Sequence, residues 1–139
     1  MQKLLVRTAA HSAFVNITRD VQRVVAESGV RNGVCHVFVP HTTAGVTINE
    51  GADPDVARDI LSHLDRLVPW TGGYAHAEGN AAAHVKATLV GQSATLFVEG
   101  GYLVVGTWQS VFLCEFDGPR QRTILVEVVD ERGGLPGQP

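Results

Sequence analysis

The spacing of apolar residues along the chain predicts three helices. Val21, Val24 and Val25 recur at the spacing of one helix face. Asp53 directly before Pro54 is typical of a helix start, because an Asp side chain caps the first turn and Pro fits the first helical position. The predicted helices cover residues 19–29, 54–67 and 81–90, with Thr18, Asp53 and Asn80 as their N-caps.

The remaining apolar runs are short and predict strands over residues 2–8, 13–18, 34–39, 44–49, 94–99, 101–106, 109–117 and 122–131. Several of these runs are apolar on both faces. Val111 and Leu113 point to one side of their strand, whereas Phe112, Cys114 and Phe116 point to the other. Such a strand needs a second sheet, helices or another subunit over each face. We therefore expect an α+β fold, a single-domain β-sandwich-like sheet core with about three helices outside.

Composition limits the classes of function. The 139 residues fit one domain over residues 1–131, followed by a frayed tail over 132–139. A net charge of -3 with only 11 Lys and Arg residues argues against nucleic-acid binding. No apolar run approaches the roughly 20 residues of a membrane helix, so no membrane association is expected and the predicted location is cytoplasmic. Cys35 and Cys114 lie in apolar runs and are expected to be buried, reduced thiols.

A first group of polar side chains follows the strand over residues 34–39. His41 and Thr43 lie at the end of this strand, and His41 is a candidate for function. Thr47 and Asn49 share one face of the next strand, where a hydroxyl and an amide could orient a neutral heterocycle or a phosphate oxygen. A solvated strand face is the alternative. His36, inside the apolar run, is expected to be a buried, hydrogen-bonded histidine.

A second group precedes and enters the third helix. His76, Glu78 and Asn80 alternate, so an extended segment places them on one side, and His84 lies one helical turn beyond Asn80. Histidine and carboxylate side chains here could hold a divalent metal, Mg or Zn, and the helix N-terminus could receive an anion. The metal-ligand candidates are His41, His76 and His84, although their spacing matches no diagnostic metal motif.

A third group lies near the end of the chain. Thr107 and Gln109 share one face of their segment, and Glu115 interrupts an otherwise apolar strand. A carboxylate in that position must be paired, hydrogen-bonded or protonated. Arg120 or Arg122 could pair with it, or it could serve as a general base or anchor a pyrimidine-like ring. No phosphate-binding or dinucleotide motif is present in the sequence, so no nucleotide cofactor is expected.

Three blocks together carry a family resemblance: HTTAGVTINEGADPDVARDI, EGNAAAHVKATLVG and GYLVVGTWQSVFLCEFDGPRQR. In this order and at this spacing, they closely resemble the secondary thiamine-phosphate synthase (YjbQ-type) family, over nearly the whole chain. The resemblance implies a compact β-sandwich-like α+β domain that forms a homotrimer. It also implies a polar site that contains His41, Asn49, His84, Thr107, Gln109 and Glu115.

The activity implied by this resemblance is a transferase, in a secondary activity of thiamine biosynthesis. It would couple a hydroxymethylpyrimidine pyrophosphate to a thiazole phosphate and release pyrophosphate. The expected catalytic residues are His41, His84 and Glu115, and the expected substrate-binding residues are Thr43, Thr47, Asn49, Asn80, Thr107, Gln109 and Arg120. The alternatives are a metal- or anion-binding module for a small phosphorylated ligand without turnover of its own, and a metal-dependent phosphate-ester hydrolase.

Overall fold

The computed structural model describes residues 1–133, which form eight strands and three helices. In chain order they are β1 (Gln2–Arg7), β2 (Ala13–Asn16), α1 (Thr18–Ser28), β3 (Gly33–Phe38), β4 (Ala44–Glu50), α2 (Pro54–Leu67), α3 (Ala81–Val90), β5 (Ser93–Glu99), β6 (Tyr102–Leu103), β7 (Gln109–Glu115) and β8 (Gln121–Asp130). The predicted frayed tail over 132–139 lies, from residue 134 on, outside the described residues.

The strands form two antiparallel sheets. One sheet has five strands in the order β1-β8-β3-β5-β6, and the other has three in the order β2-β7-β4. Every paired strand in them runs antiparallel to its neighbour. The predicted α+β class with three helices is therefore confirmed. Among residues 1–133, no helix combines the length and apolar character that crossing a lipid bilayer requires.

Strand β7 is buried on both faces, as its apolar pattern predicts. Val111 and Leu113 join the main core, to which both sheets and α1 contribute. Phe112, Cys114 and Phe116 form a second cluster with alanines of α3 and partly buried leucines of α2. The second face of the three-stranded sheet is therefore covered by helices of the same chain.

Of the three N-cap side chains predicted from the sequence, only Asp53 caps its helix. Asp53 accepts a hydrogen bond from the N–H of Asp55 at 2.9 Å, which confirms the predicted cap of α2. Thr18 was expected to cap α1 but is its first residue, and its N–H donates to the Asn16 side chain at 3.0 Å. Asn80 stands at the N-cap position of α3, yet its side chain makes no capping bond.

Strand β6 is much shorter than the predicted strand over residues 101–106. Only Tyr102 and Leu103 pair with β5. The side chain of Gln22 in α1 accepts from the N–H of Leu103 at 2.9 Å and donates to the carbonyl of Gly101 at 3.1 Å. The edge of β6 is therefore hydrogen-bonded to a helix side chain.

A buried ion pair joins β7 and β8. The Glu115 side chain is fully buried, and its Oε1 accepts from Thr8 Oγ1 and from Arg122 Nε, both at 2.8 Å. Its Oε2 accepts from Arg122 Nη2 and from the N–H of Asp117 at 3.0 Å. Burial alone would raise the pKa of Glu115, but these bonds more than offset it and hold the pKa below 4.5. The carboxylate therefore stays ionised, paired with Arg122 rather than Arg120.

The same guanidinium group reaches a third segment. Arg122 Nη2 also donates to Thr43 Oγ1 at 2.9 Å and to the Thr43 carbonyl at 3.3 Å. Thr8, just after β1, and Thr43, just before β4, are thus bound through one ion pair to β7 and β8. This network fixes the segment that carries His41.

The two cysteines are buried and unpaired, as expected from the apolar runs around them. Burial raises the pKa of the Cys35 thiol to about 11 and raises the pKa of Cys114 further. Both side chains therefore remain neutral thiols inside the core.

A prediction concerns the contact between β4 and the end of α3. A Cβ atom at Gly45 would lie 2.5 Å from the carbonyl oxygen of Gly91, which accepts the N–H of Val46 at 3.0 Å. Gly45→Ala should therefore lower the free energy of unfolding by about 1–3 kcal/mol, measured by urea denaturation. Gly106→Ala is the control, because its nearest neighbour is the flexible Gln109 side chain at 3.2 Å. Equal effects of the two substitutions would contradict the contact.

A second prediction concerns the buried ion pair. At pH 7, Glu115→Gln should lower the free energy of unfolding by about 3–5 kcal/mol, because it leaves the Arg122 charge buried and unpaired. The folded pKa of Glu115 lies below its unfolded value. The stabilisation is therefore present above about 4.5 and is lost as the pH falls through the folded pKa.

Chemical denaturation of wild type and variant between pH 7 and pH 3 checks this prediction, and the gap between them should narrow toward low pH. Glu127→Gln in β8 is the control, since an exposed carboxylate contributes about 0–1 kcal/mol. A gap that stays constant with pH would show that Glu115 is not held as a carboxylate.

Candidate functional site

A cavity of about 640 Å³ lies between the end of β3, the loop that follows α2, the start of α3 and the loop after β7. The predicted site residues that line it are His41, Thr43, His76, Asn80, His84 and Arg120. Glu78, Asp117 and Arg122 also contribute to its wall. Residues from distant parts of the sequence therefore meet here, as the polar clusters suggested.

His41 is held at one edge of the cavity by a backbone hydrogen bond. Its Nε2 accepts from the N–H of Thr123 in β8 at 3.0 Å. In the neutral ring the proton therefore sits on Nδ1. Burial, and next the positive charge of Arg122, hold the pKa of His41 below 6.5. At pH 7 His41 is a neutral imidazole that can donate a hydrogen bond from Nδ1.

His76 and His84 form a pair on the other side. Their ring centroids are 5.2 Å apart and the rings are nearly perpendicular, at 80°. His76 comes from the loop before α3, and its Nε2 lies 4.0 Å from the Glu78 carboxylate. His84 comes from the first turns of α3. His76, Glu78 and Asn80 line one wall, but through a turn in which the N–H of Gly79 donates to the His76 carbonyl at 3.4 Å rather than through the expected extended segment.

Asp117 is a cavity residue that the sequence reasoning missed. Its Oδ2 accepts from Asn80 Nδ2 at 2.9 Å and from Arg120 Nη2 at 3.1 Å. Burial would raise the pKa of Asp117, but these two bonds and the charge of Arg120 more than offset it, so the pKa lies below 3.8. The signal in the sequence was a second carboxylate two positions after Glu115, just before the Gly118-Pro119 turn.

Asn80 has one atom left without a partner. Its Oδ1 is buried and accepts no hydrogen bond from any group in residues 1–133. A buried acceptor in that state costs about 1–3 kcal/mol. The Asn80 amide donates to Asp117 and makes no capping bond to α3, so the tertiary contact outweighs the local preference for a cap.

Four predicted substrate-binding residues lie elsewhere in the described chain: Thr47, Asn49, Thr107 and Gln109. In the antiparallel pairing of β4 with β7, Ala44 is opposite Glu115, whereas Asn49 is opposite Ser110. Strands rise about 3.3 Å per residue, so Asn49 is roughly 20 Å along the strand from Thr43. Gln109 accepts locally from the N–H of Gly106 at 2.8 Å. Within one chain, these four side chains do not reach the cavity.

Two further residues differ from their expected positions. Glu115, a predicted catalytic residue, lies behind the cavity and binds Arg122, whose own side chain lines the wall. His36, expected to be buried, is exposed on the five-stranded sheet, where its Nδ1 is 3.2 Å from Thr95 Oγ1. Side chains alternate along β3, so Cys35 and Val37 face the core and His36, between them, faces away from it.

The geometry does not support a metal centre. No group of three or more His, Cys, Asp or Glu side chains in residues 1–133 is arranged to hold a metal ion. The His76 and His84 rings meet edge to face, and the His41 Nε2 lone pair is occupied by Thr123. The expectation of a metal-binding site formed by His41, His76 and His84 is therefore wrong, because among residues 1–133 these side chains do not form a ligand group.

Comparison with known proteins gives relatives over most of the chain. The model of the family described as UPF0047 protein YjbQ-like matches residues 2–131. The UPF0047 protein YugU of Bacillus subtilis is 44% identical over 130 residues, which cover 93% of this chain and 98% of that protein. These lengths show that the similarity extends through all the described strands and helices.

Solved structures agree with the fold. An uncharacterized conserved protein of the YjbQ/UPF0047 family from Clostridium acetobutylicum matches with a TM-score of 0.92 and 49% identity, over 93% of this chain and all of that one. A protein from Sulfolobus solfataricus, described as YbjQ-like and of unknown function, matches with a TM-score of 0.90 and 38% identity. The match covers 94% of this chain and 96% of that one.

These comparisons correct the predicted activity. Neither the family description nor the names of these relatives indicates thiamine biosynthesis, transferase activity or metal binding. The prediction of a thiamine-phosphate synthase-like transferase is therefore wrong, and its two alternatives are no better supported. The comparisons do confirm the YjbQ part of the resemblance. With a family model matched over residues 2–131, the chain belongs to the UPF0047, YjbQ-like family.

Proposed function

We propose that this protein is an acid–base enzyme that binds a small, uncharged polar molecule in the 640 Å³ cavity and moves a proton on it. The observation that carries the proposal is the meeting of His41, His76 and His84, from three separate segments, around one cavity. Imidazole is the side chain whose ordinary pKa allows it to gain and lose a proton near neutral pH. Histidines that converge on a cavity are suited to that task.

The charges of the wall favour a ligand without a full charge. Arg120 is bound to Asp117, and Arg122 is bound to Glu115. The positive charge of each arginine in the wall is therefore compensated by a carboxylate in direct contact. A ligand with hydroxyl, amide or carbonyl groups could use the remaining donors and acceptors without displacing either ion pair.

The three imidazoles take different roles in this proposal. His41 is a fixed hydrogen-bond donor, because Thr123 holds its tautomer and its pKa is lowered. His84 and His76 are neighbours in the cavity wall, with ring centroids 5.2 Å apart. We assign proton transfer to His84 and its relay to His76, whose Nε2 lies 4.0 Å from the Glu78 carboxylate.

Two earlier expectations about ligands stay predictions. The structure tests neither a divalent Mg or Zn cofactor nor a phosphorylated substrate, and the proposed proton transfer assigns no step to either. The cytoplasmic location and the domain limits of 1–131 also stay predictions.

A binding experiment tests the proposed function. We expect glycerol and dihydroxyacetone to shift the ring NMR signals of His41, His76 and His84 in the wild-type protein, because all three rings line the cavity. His84→Gln should weaken binding about tenfold, equivalent to about 1.4 kcal/mol, and should abolish exchange of the dihydroxyacetone C–H protons with D2O.

His63→Gln is the matched control, because His63 lies in α2 and does not line the cavity. Inorganic phosphate serves as the anionic probe. The proposed function would be rejected if neither neutral probe moved the three histidine signals, or if phosphate bound more than tenfold tighter than both.

We also propose that the chain assembles as the predicted homotrimer, with the sheets packed in a sandwich-like way. In support, a row of apolar residues crosses the outer face of the five-stranded sheet through Val129, Val34, Phe97 and Val104. The exposed fraction of Phe97 is 68%. An exposed apolar row of this kind is typical of a protein interaction surface. Phe38, on the same face, also lines the cavity, so assembly would place a neighbour beside the site.

Sedimentation equilibrium tests this assembly. The wild-type protein at micromolar concentration should have three times the 14.9 kDa mass of one chain. Phe97→Lys should shift it toward the single chain, since a charge in the apolar row must be desolvated in the interface. Leu67→Lys is the control, because Leu67 is similarly exposed but lies in α2. A wild-type mass of one chain would exclude the homotrimer at that concentration.

A further inference from the structure

Arg122 has one nitrogen that its buried network does not use. Its side chain is only 5% exposed, and Nε and Nη2 make every hydrogen bond that the group forms within residues 1–133. Among those residues, the sole fully buried side-chain nitrogen or oxygen without a partner is Asn80 Oδ1. Arg122 Nη1 therefore keeps some accessible surface, and the side chain to which it belongs lines the cavity.

The guanidinium is fixed before any ligand arrives. Glu115 holds Nε and Nη2, and Thr43 holds Nη2 from a second direction. A donor that is already immobilised loses little conformational entropy when a ligand binds, so its hydrogen bond contributes more to affinity than one from a free surface arginine. Arg120 is half exposed, and its Nε and Nη2 donate to a single residue, Asp117, at 2.7 and 3.1 Å.

The charge around Nη1 selects the kind of oxygen that it can bind. The Glu115 carboxylate already compensates the Arg122 charge, and the Asp117 carboxylate lies in the same wall. An anionic ligand would therefore meet an arginine whose positive charge is already compensated. A carbonyl oxygen accepts a hydrogen bond without bringing a further charge into the cavity.

We propose that Arg122 Nη1 is the anchoring donor of a carbonyl subsite, and that the ligand is a small molecule with a ketone or aldehyde group. The inference rests on the proposed function and specifies its substrate class. The N–H of Thr123, the residue after Arg122 in β8, orients the ring of His41. Adjacent residues of one strand therefore position both proposed donors, Arg122 Nη1 and His41 Nδ1–H. The carbonyl oxygen lies between Nη1 of Arg122 and Nδ1–H of His41.

The reaction that follows is proton transfer next to the carbonyl. The imidazole of His84 removes a proton from the carbon beside the carbonyl group. The electron pair of that C–H bond forms a C=C bond, and the C=O electron pair moves to the oxygen. Arg122 and His41 stabilise the resulting enolate by their hydrogen bonds, and return of a proton to carbon completes the cycle.

Dihydroxyacetone and glycerol form a matched pair of probes, because they differ in the carbonyl group alone. In protein labelled with ¹⁵N in arginine, dihydroxyacetone should shift the Arg122 Nη1 signal and glycerol should not. We expect dihydroxyacetone to bind at least tenfold tighter than glycerol. Arg122→Lys should remove this preference, whereas Arg7→Lys, at the exposed end of β1, should retain it.

The double variant Glu115→Gln with Arg122→Gln is a second test, because it replaces the buried ion pair with two neutral amides and removes Nη1. It should also lose the preference for dihydroxyacetone. If both Arg122 variants fail to fold by circular dichroism, the wild-type Nη1 shift and the ratio of the two affinities decide the question.

The outcomes separate this inference from the proposed function. The carbonyl subsite is overturned if both probes move the histidine signals but bind with equal affinity, or if dihydroxyacetone does not shift the Arg122 Nη1 signal. In either case the proposed acid–base function is retained. If acetate shifts Nη1 and binds tenfold tighter than dihydroxyacetone, the subsite is anionic and this inference is wrong. Inorganic phosphate that binds more than tenfold tighter than both neutral probes rejects the proposed function as well. If no probe moves the histidine signals, both proposals fail.

Discussion

The fold and the cavity both depend on the buried ion pair between Glu115 and Arg122. Two charges inside an apolar core are tolerated only when their hydrogen bonds are nearly complete. Here the carboxylate accepts four hydrogen bonds, from Thr8, Asp117 and Arg122. The cost of burying the charges thereby specifies one arrangement of β7, β8 and the segment before β4. A shift of β8 against its neighbours β1 and β3 would move Arg122 away from Glu115 and leave both charges unpaired in the core.

The cavity is a consequence of that arrangement. Arg122 fixes Thr43, and the next residue of β8 fixes the ring of His41. Asp117, held by its own N–H to Glu115, then binds the Asn80 amide at the start of α3. One chain of hydrogen bonds therefore runs from the core to the cavity wall. It accounts for the pre-organised donors there and for the uncapped start of α3.

The family assignment and the chemistry of the site rest on different kinds of support. Sequence and structure comparisons place the chain in the UPF0047, YjbQ-like family over almost its full length. The names of its relatives, however, give no reaction. The proposed chemistry therefore comes from local features: three imidazoles, two arginines compensated by carboxylates, and one guanidinium nitrogen without a partner among residues 1–133.

The sequence by itself determined the three helices, the burial of β7 on both faces, and the need of the Glu115 carboxylate for a partner. These features follow from local periodicity and from the cost of burying a lone charge. Tertiary structure alone decided that Asp117 and Arg122 line the cavity, that Glu115 lies behind it, and that Asn49 and Gln109 lie at the far end of their strands. Antiparallel pairing sets these distances, because it joins residues by register across strands, and no short window of sequence contains that register.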